Sequence, residues 1–129
     1  RLNKALAAEG KSFQSVSILI MGLAYKPNVD DDRESPSYAL MEKLEDLGAH
    51  VDYFDPYISE IKGNRTHGSF AGRRSVVWEK ESISKYDVAL ISTAHDCIDY
   101  AKLLDWGILV LDTRNAIKSN VNYLRLIRA

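Results

Sequence analysis

The chain has 129 residues, the length of one ordinary domain, which is enough for a single hydrophobic core. Hydrophobic residues make up 46% and charged residues 27%, a composition typical of globular proteins and unlike that of disordered or fibrous chains. Lys and Arg number 17 against 18 Asp and Glu, so the net charge is −1 and no basic surface for nucleic acid is expected.

Apolar runs and cysteine usage exclude further classes. The longest apolar run, 16–23, is far shorter than the roughly 20 residues that a membrane-spanning helix needs, so no membrane association is expected. The single cysteine, Cys97, excludes an internal disulfide framework and a multi-cysteine zinc site. Together with a start that does not resemble a signal peptide, it predicts a cytoplasmic protein.

The first predicted elements are a helix, a strand and a second helix. Residues 1–10 carry a helical pattern of Leu and Ala that begins without an N-cap, so we expect this segment to be the end of a longer helix. The β-branched run 16–21 predicts a buried strand. The next helix is predicted to begin at Pro36, because Ser35 is a suitable N-cap and proline suits the first helical position.

This second helix is amphipathic and leads into another strand. Leu40, Leu44 and Leu47 recur at helical spacing, and Gly48 follows where a helix end favours left-handed geometry. Residues 51–54 then predict a second strand. A strand–helix–strand unit of this kind indicates a parallel pair with a right-handed crossover.

The alternation continues along the rest of the chain. Residues 61–75 contain three glycines and predict an irregular surface loop, followed by a possible short third strand at 76–78. The later predicted segments are a helical turn at 81–85, strands at 87–92 and 108–111, a weak helix at 100–104, and a tail forming a turn or helix. The pattern predicts one α/β domain, a Rossmann-like doubly wound parallel sheet of about five to six strands.

A ligand site is expected beyond the carboxyl ends of the strands, where open parallel sheets bind ligands. The loop 22–36 is about twice the usual strand-to-helix length, which indicates a ligand. It lacks the glycine spacing of a dinucleotide fingerprint, since no further glycine follows Gly22 within the loop. Lys26 and Arg33 can bind phosphate, or they form surface salt bridges with the aspartates at 30–32.

Other polar residues near these strand ends have alternative interpretations. The aspartates at 30–32 are adjacent and point in different directions, so no metal site is predicted. Arg114 lies at the same sheet edge, where it reaches the ligand or pairs with Asp112. His95 and Cys97 are expected to diverge rather than form a nucleophilic pair, and Cys97 is predicted to be an ordinary semi-buried thiol.

Four motifs resemble the C-terminal domain of the UDP-glucose/GDP-mannose dehydrogenase family. They are GLAYKP at 22–27 followed by DDRESP at 31–36, YFDPY at 53–57, TAHD at 93–96 and DTRN at 112–115. They occur in the family's order and cover most of the chain. Among subfamilies, the runs DDDRESPSYALM and HGSFAG are most similar to bacterial UDP-N-acetylglucosamine 6-dehydrogenases.

The resemblance implies a reaction and a set of site residues. The implied reaction is the four-electron oxidation of a sugar C6 alcohol to a carboxylate, with two NAD⁺ and a catalytic cysteine that Cys97 does not match. Tyr25, Lys26 and Arg114 are implied to contact the nucleotide-sugar substrate. Arg33 is implied to reach NAD bound mainly by an N-terminal domain, and no catalytic residue is implied within this chain.

The resemblance also implies a domain organisation. Residues 1–10 become the end of a helix that connects two domains, and residues 11–129 become the nucleotide-sugar (UDP)-binding domain. The implied partners are a UDP-sugar, the N-terminal and central domains of the same enzyme, and further copies in a homo-oligomer. The alternatives are a UDP-glucose, UDP-N-acetylmannosamine or GDP-mannose 6-dehydrogenase domain, or a free-standing nucleotide-binding module.

Overall fold

A computed structural model describes residues 2–62, 68–118 and 125–128. The elements are α1 (Leu2–Ala8), β1 (Ser17–Met21), α2 (Pro36–Asp46), β2 (His50–Phe54), α3 (Lys80–Ile83), β3 (Val88–Ile91), α4 (Lys102–Asp105), β4 (Leu109–Asp112) and β5 (Leu126–Arg128), with 3-10 turns at Phe13–Ser15 and Gly68–Phe70. Five parallel strands form one sheet in the order β2-β1-β3-β4-β5, which confirms the predicted fold class. Among the described residues, no helix is long and apolar enough to cross a membrane.

The bounds of α2 follow from the residues at its two ends. The Ser35 hydroxyl accepts a hydrogen bond from the Ser37 N–H at 3.2 Å, and Pro36 occupies the first helical position, where its missing N–H has no consequence. After the helix ends at Asp46, Gly48 adopts a φ of 99°, which favours glycine. The predicted start and end of this helix are confirmed.

The sheet is buried on both faces because alternate side chains of each strand point in opposite directions. Ile18 and Ile20 of β1 pack into a core with side chains of α1 and α2. Leu19 and Met21 pack into a second core with side chains of α3 and α4. This two-faced burial explains why the strands appear in the sequence as continuous apolar runs.

Strand order determines where a ligand can enter. β1 pairs with β2 on one side and with β3 on the other, so the direction of chain winding reverses between β1 and β3. The loops that follow these two strands therefore depart on opposite faces and leave a crevice between them. All five strands are parallel, so the carboxyl ends of the other strands lie along the same edge.

The prediction of a strand at 76–78 is wrong. The Val76 N–H donates to the Tyr53 carbonyl at 2.9 Å, but no ladder continues from this bond, and residues 76–78 form no strand. Trp78 instead packs over the sheet, with its ring 5.1 Å from that of Phe54. Val76 and Trp78 therefore pack against the core on one face of the sheet, whereas Val77 is exposed.

The prediction of a turn or helix in the tail is wrong for the part that the structure describes. Residues 126–128 form β5, parallel to β4, and the Val110 N–H donates to the Arg125 carbonyl at 2.8 Å. The free edge of β4 provides these hydrogen-bond partners. Residues 119–124 of the tail and 63–67 of the predicted loop lie outside the described residues.

Gly22, at the end of β1, provides a stability test of the crevice. We expect Gly22→Ala to destabilise the protein by more than the roughly 1–2 kcal/mol of positive-φ strain alone. Its φ is 98°, and an added Cβ lies only 2.1 Å from the Thr93 carbonyl oxygen, so backbone must move. Urea unfolding of purified variants measures the change.

Gly107→Ala is the matched control. Gly107 has a φ of 81° but no atom within 4 Å of an added Cβ, so it reports backbone strain without a clash. Equal unfolding free energies for the two variants would contradict the close packing of the β1 and β3 loops.

Candidate functional site

Short polar side chains join the loops that follow β1 and β3. The Ser37 hydroxyl donates to the Gly22 carbonyl at 2.9 Å and lies 2.7 Å from the Ser92 hydroxyl. The Thr93 hydroxyl donates to the Ala24 carbonyl at 2.8 Å. These bonds hold the floor of the crevice in one arrangement, since each satisfies a polar group that is shielded from water.

Asp55, directly after β2, is the centre of the network. Its Oδ2 accepts the N–H groups of Leu23 and Ala24 at 2.8 and 2.9 Å and lies 2.9 Å from His95 Nε2. Its Oδ1 accepts the Tyr57 N–H at 2.8 Å. The residue is only 2% exposed, and a carboxylate is tolerated at such a position because all of these groups donate to it.

The turn that carries Lys26 is attached to the β3 loop through Asn28. The Asn28 N–H donates to His95 Nδ1 at 2.8 Å. The Asn28 amide group donates to the Asp96 carboxylate at 3.0 Å and accepts the Asp96 N–H at 2.8 Å. Asn28 has a φ of 66°, a conformation that asparagine tolerates better than most residues.

Asp112, at the end of β4, shapes the loop that carries Arg114. Its carboxylate is 1% exposed and accepts the N–H groups of Arg114, Ala116 and Ile117. The Arg114 Nε donates to the Ser92 carbonyl at 2.7 Å, so the guanidinium is anchored on the β3 loop rather than on the Asp112 side chain. Arg114 thus pairs with the Asp112 carboxylate through its backbone N–H and not through its guanidinium.

These loops surround a cavity of about 640 Å³ at the carboxyl edge of the sheet. Among the described residues, three cationic side chains and the carboxylate of Asp96 border it. The cations are Lys26, Arg114 and Lys118. Within the described ranges, neither Lys26 nor Arg114 takes part in a salt bridge. The cavity therefore has the charge expected of an anion site.

The structure brings together three of the four predicted site residues. Tyr25 and Lys26, from the loop after β1, and Arg114, from the loop after β4, border the same cavity. Arg33 borders a second cavity of about 440 Å³, together with Tyr25, Asp31 and Glu34. The first three side chains thus lie at one cavity, and the fourth lies beside them at another.

Arg33 forms the salt bridge that was the alternative to phosphate binding. Its Nε and Nη2 donate to the two carboxylate oxygens of Asp31 at 2.9 and 2.8 Å. The Arg33 hydrogen bonds lower the pKa of Asp31 to about 2. The salt-bridge interpretation therefore holds for Arg33, and within the part of the chain described here it does not hold for Lys26.

Sequence reasoning missed two contributors to the site. Lys118 borders the cavity but lies in the tail, where no motif pointed to it. Tyr100 also borders the cavity and accepts the His95 N–H at 2.8 Å, and burial raises its pKa to about 12, so its hydroxyl stays protonated. Tyr100 begins the weak helix predicted at 100–104 and lies outside the four motifs.

The prediction of a semi-buried Cys97 is wrong, because the residue is exposed. The chain turns outward after His95, which is buried, so the two side chains do not converge. A hydrogen bond with Cys97 raises the pKa of Tyr57. Across 2–62, 68–118 and 125–128, no three His, Cys, Asp or Glu residues are placed to hold a metal ion.

A parallel α/β sheet with a cationic cavity at its switch point defines a nucleotide-binding class of domain. Sequence comparison then identifies the family. Residues 19–119 match the UDP binding domain of the UDP-glucose/GDP-mannose dehydrogenase family, so the chain belongs to that family.

The relatives and the solved structure similar to this chain are named for different sugars. The chain is 43% identical over 53 residues to UDP-glucose 6-dehydrogenase of Rhizobium meliloti, which covers 41% of the chain and 12% of the relative. It is 28% identical over 95 residues to UDP-N-acetyl-D-glucosamine 6-dehydrogenase of Salmonella typhi, covering 74% of the chain and 21% of the relative. The structure of UDP-D-ManNAc dehydrogenase from Pyrococcus horikoshii superposes with a TM-score of 0.72 at 22% identity, covering 98% of the chain and 28% of that protein.

Asp55→Asn is expected to destabilise the protein by about 2 kcal/mol or more. An asparagine has one acceptor oxygen, so its amide hydrogens must face either the N–H groups of Leu23 and Ala24 or that of Tyr57. Thermal and urea unfolding measure the loss.

Asp30→Asn serves as the control for the charge change, because Asp30 is an exposed aspartate of the loop after β1. Its unfolding free energy should stay within about 0.5 kcal/mol of the wild type. A loss in Asp55→Asn no larger than that of this control would show that the Asp55 network is unimportant for stability.

Proposed function

We propose that the cavity at the β1/β3 switch point binds the diphosphate of a nucleotide-sugar, and that this chain is the UDP-sugar-binding domain of a dehydrogenase. The observation that carries the proposal is the pairing of Lys26 and Arg114 across one cavity, with no salt bridge to either within the described ranges. A diphosphate carries charge along its length, so cations from two loops can each contact one phosphate group. The cavity volume lies within the range of small-molecule sites.

The two cations are suited to different parts of such a ligand. Lys26 presents a compact charge at an exposed turn, whereas Arg114 presents a planar fork. Arg114 Nε is bonded to the Ser92 carbonyl, and within the described residues the terminal nitrogens of the guanidinium remain for bidentate contact. Tyr25, 56% exposed beside the cavity, is placed to pack against the ligand or to hydrogen-bond to it.

The comparisons support UDP as the shared part of the ligand. The relatives and the solved structure are named for glucose, N-acetylglucosamine and N-acetylmannosamine, while the uridine diphosphate is common to all three names. A domain whose fold is shared by proteins named for different sugars is best explained as the domain that binds the uridine diphosphate. The sugar is then selected largely by groups outside this chain.

We further propose that the complete enzyme is an NAD-dependent UDP-sugar 6-dehydrogenase, with UDP-N-acetylglucosamine as its substrate on the motif likeness described above. The chain spans about a quarter or less of the relatives' length, 12% and 21% in the two cases described. The proposed partners are therefore the N-terminal and central domains, with residues 1–10 as the end of the connecting helix, and further copies in a homo-oligomer. UDP-glucose, UDP-N-acetylmannosamine and GDP-mannose are the alternative substrates.

NAD⁺, when bound, accepts hydride from the sugar alcohol, and we propose that most of its site lies outside this chain. Arg33 is the residue of this chain that suits an approach to it. Its side chain is 84% exposed, and the fork to Asp31 holds it in a defined orientation. An oriented and accessible guanidinium fits a contact with phosphate groups of a cofactor bound by another domain.

Lys26→Ala and Arg114→Ala should each weaken UDP binding about tenfold or more, because each removes a charge-assisted contact with phosphate. Isothermal titration of UDP into the 129-residue chain measures the dissociation constants. The loss should shrink as salt concentration rises, since both side chains are exposed to solvent.

Lys85→Ala is the control for loss of one positive charge. Lys85 is exposed and precedes β3, which places it at the amino edge of the sheet, away from the cavity. Its affinity should match the wild type. If Lys26→Ala also matches the wild type, Lys26 does not belong to the site.

The isolated chain should produce no NADH when mixed with NAD⁺ and UDP-sugars. Its cysteine is exposed and does not match the family's catalytic motif, and no glycine fingerprint for a dinucleotide occurs in it. Absorbance at the NADH band, followed for the four candidate sugars in parallel, tests this.

The full-length enzyme in the same assay identifies the sugar. A signal from the isolated chain would mean that catalysis resides here, and a full-length enzyme inactive on all four sugars would contradict the proposed substrate class.

A further inference from the structure

His95 is enclosed between a group that only accepts hydrogen bonds and a group that only donates them. Its side chain and that of Asp55 are both fully buried, with Nε2 2.9 Å from Asp55 Oδ2. On the other side of the ring, Nδ1 lies 2.8 Å from the Asn28 nitrogen, whose N–H points at it. Nε2 must therefore carry the proton and Nδ1 must be bare, which defines one neutral tautomer.

The bond to Nδ1 holds one end of the turn that carries Lys26. At the other end, the Tyr25 N–H donates to the Asp31 carbonyl at 2.7 Å. Pro27 lies between Lys26 and Asn28 and has no N–H with which to attach the turn. The position of Lys26 over the cavity therefore depends on what holds Asn28.

We infer that the neutral Nε2–H tautomer of His95 positions Lys26 for contact with the diphosphate, so His95 is a positioning residue for UDP binding. The inference rests on the proposed function of the cavity. Asp55 orients the ring, and the unprotonated Nδ1 accepts the hydrogen bond from the backbone N–H of Asn28. A proton on Nδ1 would oppose that N–H and release the turn, whereas the other contacts of Asn28, to the exposed Asp96, compete with water.

Two substitutions separate the two sides of the ring. His95→Gln extends an amide that can donate toward Asp55 from the place of Nε2, but it offers no acceptor at the place of Nδ1. His95→Asn places an oxygen near Nδ1, where it can accept the Asn28 N–H, but it does not reach Asp55. The control is His50→Gln, because His50 is an exposed histidine at the amino end of β2.

Isothermal titration of UDP into the 129-residue chain gives the decisive comparison. His95→Gln should weaken UDP binding about threefold to tenfold, the effect of one hydrogen bond. His95→Asn should bind UDP about threefold more tightly than His95→Gln, and His50→Gln should equal the wild type. A role limited to stability predicts no such recovery, since His95→Asn loses the bond to the buried Asp55 carboxylate.

The results separate failure of this inference from failure of the proposed function. Equal affinities for the wild type and His95→Gln overturn the inference alone, as does a His95→Asn variant no tighter than His95→Gln. A wild-type chain that does not bind UDP contradicts the proposed function and the inference with it.

Nitrogen NMR of the wild type tests the tautomer without any substitution. The His95 ring should show a protonated Nε2 and an unprotonated Nδ1, and the reverse pattern or two protonated nitrogens overturns the inference. If His95→Gln does not fold, hydrogen exchange at the backbone amide of Asn28 in the wild type replaces the titration of that variant. UDP should slow that exchange at least about threefold, and an exchange rate unchanged by UDP overturns the inference.

Discussion

The buried carboxylate of Asp55, at the end of β2, holds together the loops at the carboxyl edge of the sheet. Asp55 accepts hydrogen bonds from two backbone groups of the β1 loop and from its own turn, and it contacts His95 of the β3 loop. A carboxylate this deep is stable only with several donors, and the N–H groups of Leu23 and Ala24 and the ring of His95 are likewise buried and in need of partners. The loops that border the cavity therefore have one arrangement that satisfies them all.

The same strategy recurs at β4, where Asp112 accepts three backbone N–H groups and thereby shapes the Arg114 loop. In both places a buried acid organises backbone, while the cations that border the cavity, such as Lys26, are left exposed. The buried acids therefore stabilise the loops, and the exposed cations are left for the proposed binding. Negative charge is used inside the loops, where donors surround it, and positive charge faces the space in which an anionic ligand is proposed to bind.

Much of the fold follows from local sequence patterns. The apolar runs of β1 and β3 and the cap at Ser35 identify strands and a helix because burial on both faces and capping leave clear signatures. Two segments differ from their predicted structure. Residues 126–128 form a strand only because the edge of β4 offers hydrogen bonds, and Trp78 is held by packing over Phe54. Neither partner is visible within a short window of sequence.

The sequence by itself determined the fold class, the family and the loops expected to carry a site, because strands that alternate with helices run parallel and place the loops after them at one sheet edge. Tertiary structure decided which of the described cations are paired. Lys26 and Arg33 look equivalent in the sequence, yet Arg33 is paired with Asp31 while Lys26 borders the cavity. It also assigned His95 its tautomer, since Asp55 and Asn28 are distant along the chain and meet only when the strands align.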